Sequence, residues 1–92
     1  MKYQVYHYNG VEEVDVGFEV KRYIAASIEK DDVQIEVAEL NPTEVCRALK
    51  KAGVITSANM KHLKVSDLSS DIVHVQNKHD KYPLCRLEKI RH

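Results

Sequence analysis

The stretch LNPTEVCRALKKAGV, from Leu40 to Val54, carries the local signals of a single amphipathic helix. Asn41 can accept a backbone N–H as the capping residue, and Pro42 suits the first helical position, where an N–H would have no helical partner. Gly53 stands where helices commonly end in a left-handed conformation. The sequence therefore predicts a helix from Pro42 to Ala52, around which the other elements are expected to be arranged.

The predicted helix has an apolar face and a basic face. Its apolar residues recur at the i, i+3, i+4 and i+7 spacing of one helical stripe: Val45, Ala48, Leu49 and Ala52. The opposite side carries three cations, Arg47, Lys50 and Lys51. The apolar face is expected to pack on a sheet, and the basic face is expected to meet solvent.

Residues before the helix alternate in character, as residues of β-strands do. Lys2 to Tyr8 forms one alternating run, and Val33 to Val37 forms another shortly before the helix. Asn9-Gly10 follows the first run and suits a two-residue hairpin turn, because both positions tolerate a positive φ. These runs predict an antiparallel β-meander whose apolar face the helix covers.

The run from Val14 to Ile28 allows two interpretations. Its apolar residues keep a period of two, which predicts one long bent strand or two short strands, with Gly17 at the bulge or bend. From Phe18 to Lys30 the apolar residues also satisfy the i+4 spacing of a helix. Both interpretations stay open at this point.

The residues after Gly53 predict smaller elements. A second short helix from Ala58 to Lys64 fits the pattern, and a strand fits the same residues nearly as well. Asp71 to Gln76 and Leu84 to Ile90 are strand-like, and the polar stretch Asn77 to Pro83 joins them into a C-terminal β-hairpin. We therefore expect one α+β domain over residues 1–92. Its order of helix, turn, helix and hairpin is also that of winged-helix DNA-binding proteins.

Charge is unevenly distributed along the chain, although the formal net charge is zero. Residues 1–40 carry nine acidic and four basic side chains, whereas residues 41–92 carry ten basic and five acidic ones. A basic half can neutralise the phosphates of nucleic acid, so we expect nucleic acid, or a complex that handles it, as its partner. The residues expected to contact this partner are Arg47, Lys50, Lys51, Lys61, His62, Lys64, Lys78 and Lys81.

The acidic half supports an alternative function, that of a protein–protein interaction module or inhibitor. Its expected interface combines tyrosines with carboxylates: Tyr3, Tyr6, Tyr8, Glu12, Glu13 and Asp15. Phage-encoded regulators, adaptors and counter-defence proteins include α+β chains of this size, which is an analogy of size and class. These three tyrosines and Tyr23 could instead stack on the bases of a single strand. Halves of opposite charge could also assemble the chain into a homo-oligomer.

No catalytic, cofactor-binding or metal-binding pattern stands out. The sequence has no glycine-rich phosphate loop, no Gly-x-Ser-x-Gly elbow and no paired acids in an apolar context, so a non-enzymatic protein without a cofactor is expected. His62, His74, His79 and Cys85 lack the close ligand pairs of small zinc domains, so no metal is expected. No export signal, apolar span or disulfide framework is recognisable, so a cytoplasmic protein without a membrane partner is expected.

Overall fold

The fold is α+β, with an antiparallel sheet covered by one main helix. The computed structural model describes residues 1–17, 21–66, 71–79 and 81–91. In chain order its elements are β1 (Lys2–Asn9), β2 (Glu12–Asp15), β3 (Lys21–Ile24), β4 (Ser27–Glu36), α1 (Pro42–Lys51), α2 (Ser57–Met60), β5 (Leu63–Ser66), β6 (Ile72–Asn77) and β7 (Pro83–Lys89). Within these ranges, no helix is long and apolar enough to cross a membrane.

Five strands form the main sheet in the order β4-β1-β7-β6-β5, and each is antiparallel to its neighbours. β2 and β3 pair with each other in a separate two-stranded ladder. The predicted C-terminal hairpin is present as β6 and β7. The predicted meander is only partly right, because β7 pairs with β1 and so links the two halves of the chain.

One face of the main sheet packs against α1. Alternate strand residues point to opposite faces of a sheet, so only every second residue of each strand reaches this core. The buried apolar residues are Tyr3, Val5, Ile35, Val37, Val45, Cys46, Leu49, Ile55, Val73, Val75, Cys85 and Leu87. The expectation that Tyr3 contacts a partner protein is therefore wrong for this fold, because Tyr3 shares the inward phase of Val5 and is 1% exposed.

The first four strands form one long two-stranded antiparallel ribbon, in which β2 continues β1 on one side and β3 leads into β4 on the other. The chain therefore does not turn back at Asn9-Gly10. Asn9 faces Ser27. Three residues further along both strands Glu12 faces Ile24, so the register continues from one ladder into the other. β2 and β3 thus extend the ribbon beyond the main sheet, and we call these two strands the arm.

The ribbon is kinked where the arm leaves the main sheet. Gly10 has a φ of 62°, and a Cβ added there would lie 2.9 Å from the Cβ of Ala26. The backbone N–H of Ala26 donates to the carbonyl oxygen of Asn9 at 2.9 Å across the kink. The sequence was right that Gly10 takes a positive φ, but this conformation serves a kink and not a two-residue turn.

The run from Val14 to Ile28 is divided into short strands. From Lys21 onward the described residues form β3 and the start of β4, so the helical interpretation is wrong there. Residues 18–20 lie outside the described ranges. One break between strands falls at residues 25–26. Gly17 lies at a bend after the end of β2, as predicted, with a φ of 87°, and its N–H donates to the Asp15 side chain.

β4 contains a bulge where it pairs with β1. Gln4 faces Gln34, whereas Tyr6 faces Lys30, so four residue steps on β4 match two steps on β1. An odd insertion would turn every following side chain to the other face of the sheet. The two extra residues avoid this, and Lys30 stays on the same face as Gln34 and Tyr6.

The side chain of Gln4 hydrogen-bonds to the backbone of this bulge. Its Nε2 donates to the backbone carbonyl oxygens of Asp31 and of Val33, the latter at 3.0 Å. A bulge leaves such carbonyl groups without their regular ladder partners, and buried backbone groups need a substitute. Gln4 is only 6% exposed, so its amide provides that substitute inside the sheet.

α1 confirms the predicted helix to within one residue. It begins at Pro42, and the Oδ1 atom of Asn41 accepts a hydrogen bond from the backbone N–H of Glu44 at 2.9 Å. Its last residue is Lys51, and Gly53 follows with a φ of 81°. Each of these features was readable from local sequence.

α2 is shorter than the predicted second helix. It ends at Met60 after a single turn, and β5 begins at Leu63, so Lys64 lies on a strand. Leu63 and Val65 pack against the core, and this burial at alternate positions favours a strand. A helix of four residues is only about 6 Å long.

Candidate nucleic-acid interface

Two segments that are distant in sequence come together at one corner of the sheet. The backbone N–H of Lys78, in the β6–β7 loop, donates to the carbonyl oxygen of His62 at 2.6 Å. The ring centroids of His62 and His79 are 5.4 Å apart. Lys64 and Lys78 also line one shallow depression. We call this group the basic corner; it consists of Lys61, His62, Lys64, Lys78 and His79.

The basic corner lies beside the first turn of α1. Pro42, the first residue of α1, lines the same depression as Lys64 and Lys78. The N-terminus of a helix carries a partial positive charge, which adds to the potential of the lysines. Glu44 offsets part of this charge, and its Oε1 lies 3.3 Å from the Nη1 atom of Arg47. The corner is therefore suited to an anion.

The predicted basic surface is divided between the two edges of the sheet. α1 crosses from β5, near Pro42, to β4, where Lys51 lines a depression together with Glu36. Lys50 and Lys51 therefore lie at the opposite edge from the basic corner. The sequence could not separate these two groups, because the direction in which a helix crosses a sheet is decided by packing. Lys81 lies in the β6–β7 loop beside the basic corner, where its backbone N–H donates to the carbonyl oxygen of Asn77 at 3.0 Å.

The face of the main sheet opposite α1 carries polar and aromatic side chains. No described element covers this side, and we call it the open face. One row of paired residues crosses all five strands in the order Lys30, Tyr6, Arg86, His74 and Ser66. Tyr8 lies two residues along β1 on the same face, and Lys64 lies two residues from Ser66 on β5. The open face therefore reaches the basic corner through β5.

Arg86 lies next to both open-face tyrosines. Burial raises the pKa of Tyr6 above its ordinary value, and the charge of Glu88 and a hydrogen bond to it raise this pKa further. Burial also raises the pKa of Tyr8, and the Arg86 charge opposes that rise. Both hydroxyls are therefore neutral at pH 7, and their rings lie beside a guanidinium group.

Among the described residues, the guanidinium of Arg86 has hydrogen-bond partners for only some of its donors. Its Nη2 atom donates to Glu88 Oε1 at 3.2 Å, whereas its Nε is shielded from solvent and has no hydrogen-bond partner among the described residues. The side chain is 30% exposed. An arginine carries five N–H donors, so this one keeps donors for a ligand on the open face.

The residues predicted for a protein interface are also divided. Tyr3 is in the core, Tyr6 and Tyr8 are on the open face, and the carboxylates of the predicted set, Glu12, Glu13 and Asp15, are on the arm. A separate acidic group lies at the β4 edge, where Nε2 and Nδ1 of His7 are 3.4 Å from Glu29 Oε2 and 3.7 Å from Asp31 Oδ2.

Sequence inspection missed four members of the open-face row: Lys30, Ser66, His74 and Arg86. Strand alternation assigns each of them a face, but only the strand order shows that these faces coincide. In the described ranges, no three His, Cys, Asp or Glu side chains are grouped so that they could hold a metal ion. No family model, no curated protein and no solved structure matches this chain.

Proposed function

We propose that this protein binds nucleic acid through the basic corner and does so as a binding protein, not as an enzyme. The observation that carries the proposal is the contact between the β6–β7 loop and His62, which holds two basic segments against each other beside the first turn of α1. Lysines held together in this way can neutralise several neighbouring phosphates at once and release their counterions.

The strength of this interaction should depend steeply on salt. Four lysines are available at or beside the corner: Lys61, Lys64, Lys78 and Lys81. Four neutralised phosphates predict a slope of log affinity against log salt of about −2.8 for a single strand or about −3.6 for a duplex. Between 50 and 200 mM salt, affinity should then fall by roughly 50- to 150-fold.

The test is fluorescence anisotropy with labelled 20-nucleotide single strands and duplexes, titrated at several salt concentrations. Replacing Lys61, Lys64 and Lys78 together by Ala should abolish binding. The matched control replaces Lys50 and Lys51 by Ala at the far edge of the sheet, and it should bind almost as the unmodified protein does. No binding at 50 mM salt, or a larger loss in the control than in the corner variant, would refute the proposal.

A winged-helix mode of binding is not part of this proposal. In that mode a recognition helix enters the major groove, and its side chains contact base edges. α2 spans only Ser57–Met60, and Lys64 stands on β5, so neither supports such a docking. The geometry instead favours contacts from a loop, a strand and the start of α1.

A second candidate function is binding of a protein, or of a nucleic-acid-binding protein, through the arm. The rings of Tyr23 and Tyr82 are 5.0 Å apart in an edge-to-face contact, which holds the arm against the β6–β7 loop. The arm exposes 55% of Ile24 near the carboxylate of Glu12. An exposed apolar side chain beside a carboxylate favours a basic, partly apolar protein surface. Complete failure of the nucleic-acid titrations would favour this candidate.

A further inference from the structure

The open face indicates whether the nucleic acid bound at the basic corner is single-stranded or double-stranded. We propose that the ligand is an unpaired strand of DNA or RNA whose bases stack on Tyr6 and Tyr8 while its backbone leads to the basic corner. This proposal rests on the proposed function, because it assumes that the corner contacts phosphate. It deepens that function by adding the surface that contacts the bases.

The first argument is the position of the two tyrosines. Tyr6 and Tyr8 stand two residues apart on β1, an inner strand of the sheet, and both are partly exposed on the face that α1 leaves uncovered. Base–aromatic stacking on flat sheets is a common way to hold single strands, because every base has an aromatic face. Bases within a duplex are already stacked on each other, so their faces are not available to these rings.

The second argument is charge. Tyr6 is flanked across the sheet by Lys30 on β4 and by Arg86 on β7, so each side of its ring has a cation on the neighbouring strand. Glu88 lies 3.2 Å from Arg86 and offsets its charge, so the net positive charge beside Tyr6 comes from Lys30. The row therefore complements a polyanion whose bases lie over the tyrosines.

The third argument is continuity between the two surfaces. β1 and β5 are separated by three strand spacings of about 4.8 Å each, so the tyrosines lie about 14 Å from Lys64. At about 3.4 Å per stacked nucleotide, some four nucleotides span this distance. A ligand of about that length can contact both the rings and the corner.

The experiment compares five 12-nucleotide probes on the unmodified protein: oligo(dT), oligo(U), a mixed-sequence single strand, its duplex, and an abasic strand with the same phosphates. The single strands should bind at least tenfold more tightly than the duplex and the abasic strand. Oligo(dT) and oligo(U) differ in the sugar and in the 5-methyl group of the base, and their comparison shows whether the DNA or the RNA homopolymer is preferred. The chain has five tyrosines and no tryptophan, so stacking should also quench its tyrosine fluorescence.

Variants locate the effect on the open face. Tyr6→Ala and Tyr8→Ala should each weaken single-strand binding by about 5- to 150-fold and leave the affinity for the abasic strand unchanged. Tyr6→Phe and Tyr8→Phe keep the ring and should bind normally. If an Ala variant fails to fold, the probe comparison on the unmodified protein still decides the matter.

The two proposals fail in different ways. If the duplex and the abasic strand bind as tightly as the single strands, the corner contacts phosphate but the bases are not stacked, and only the inference about the open face is overturned. If no probe binds at 50 mM salt, both the proposed function and this inference are overturned. Selective loss of single-strand binding in the Ala variants supports both.

Discussion

Replacing Gln4 by Leu should destabilise the protein far more than the same change at Gln34. Gln4 is 6% exposed, and its Nε2 donates to the carbonyl oxygens of Asp31 and Val33 in the bulge of β4. Leucine fills a similar volume but donates no hydrogen bond, so two acceptors in the sheet lose their donor. Each buried, unsatisfied acceptor costs about 1–3 kcal/mol. Because both carbonyls are only partly buried, we take the lower end, about 2–3 kcal/mol in total.

That loss corresponds to a fall in Tm of roughly 10–20 °C for a domain of this length. Urea and thermal unfolding followed by circular dichroism measure it directly. Gln34→Leu is the matched control, because Gln34 is exposed and its Nε2 donates only weakly, at 3.4 Å, to Gln4 Oε1. The control should change the free energy of unfolding by less than about 0.5 kcal/mol. Equal stability of the two variants would refute the role assigned to the Gln4 amide.

Two further predictions concern the kink and the core thiols. Gly10→Ala should lower the free energy of unfolding in urea more than Gly53→Ala does. Both glycines have a positive φ, but only a Cβ at Gly10 would clash, at 2.9 Å from the Cβ of Ala26. Equal losses would contradict this. Burial raises the pKa of the Cys85 thiol to about 12, above that of an unfolded thiol, so stability should fall as pH rises from about 9 toward 12. Between pH 8 and 10.5, Cys85→Val should remove about 2 kcal/mol of this fall, and an unchanged alkaline loss would refute the assignment.

Local signals in the sequence were enough for α1 and for the strands that alternate clearly. The Asn41 cap, Pro42 and Gly53 act within a few residues of one another, so no knowledge of the tertiary fold was needed. The same local alternation also contained the information that Tyr3 is buried, since Tyr3 shares the phase of Val5. Grouping Tyr3 with Tyr6 and Tyr8 by residue type ignored that phase.

The rest depends on pairings between distant residues. Nothing local to β1 indicates that β7 will lie beside it, so the row containing Tyr6 and Arg86 could not be assembled from the sequence. The hairpin expected at Asn9-Gly10 failed for a similar reason, because continued pairing of Glu12 with Ile24 makes the ribbon longer than the turn signal indicates. The lysines of α1 and of the β6–β7 loop were predicted to form one surface, because the sequence does not show in which direction α1 crosses the sheet.

The pairing of β1 with β7 also has a kinetic consequence. During synthesis β1 and β4 can pair early, but the other edge of β1 has to wait until residues 83–89 have been made. Closing so long a loop is entropically slow, and contacts of this kind lower folding rates. Until β7 arrives, the backbone groups of β1 and the apolar side chain of Val5 are available to other chains. The interval before the last strand docks is therefore when this chain is most exposed to aggregation.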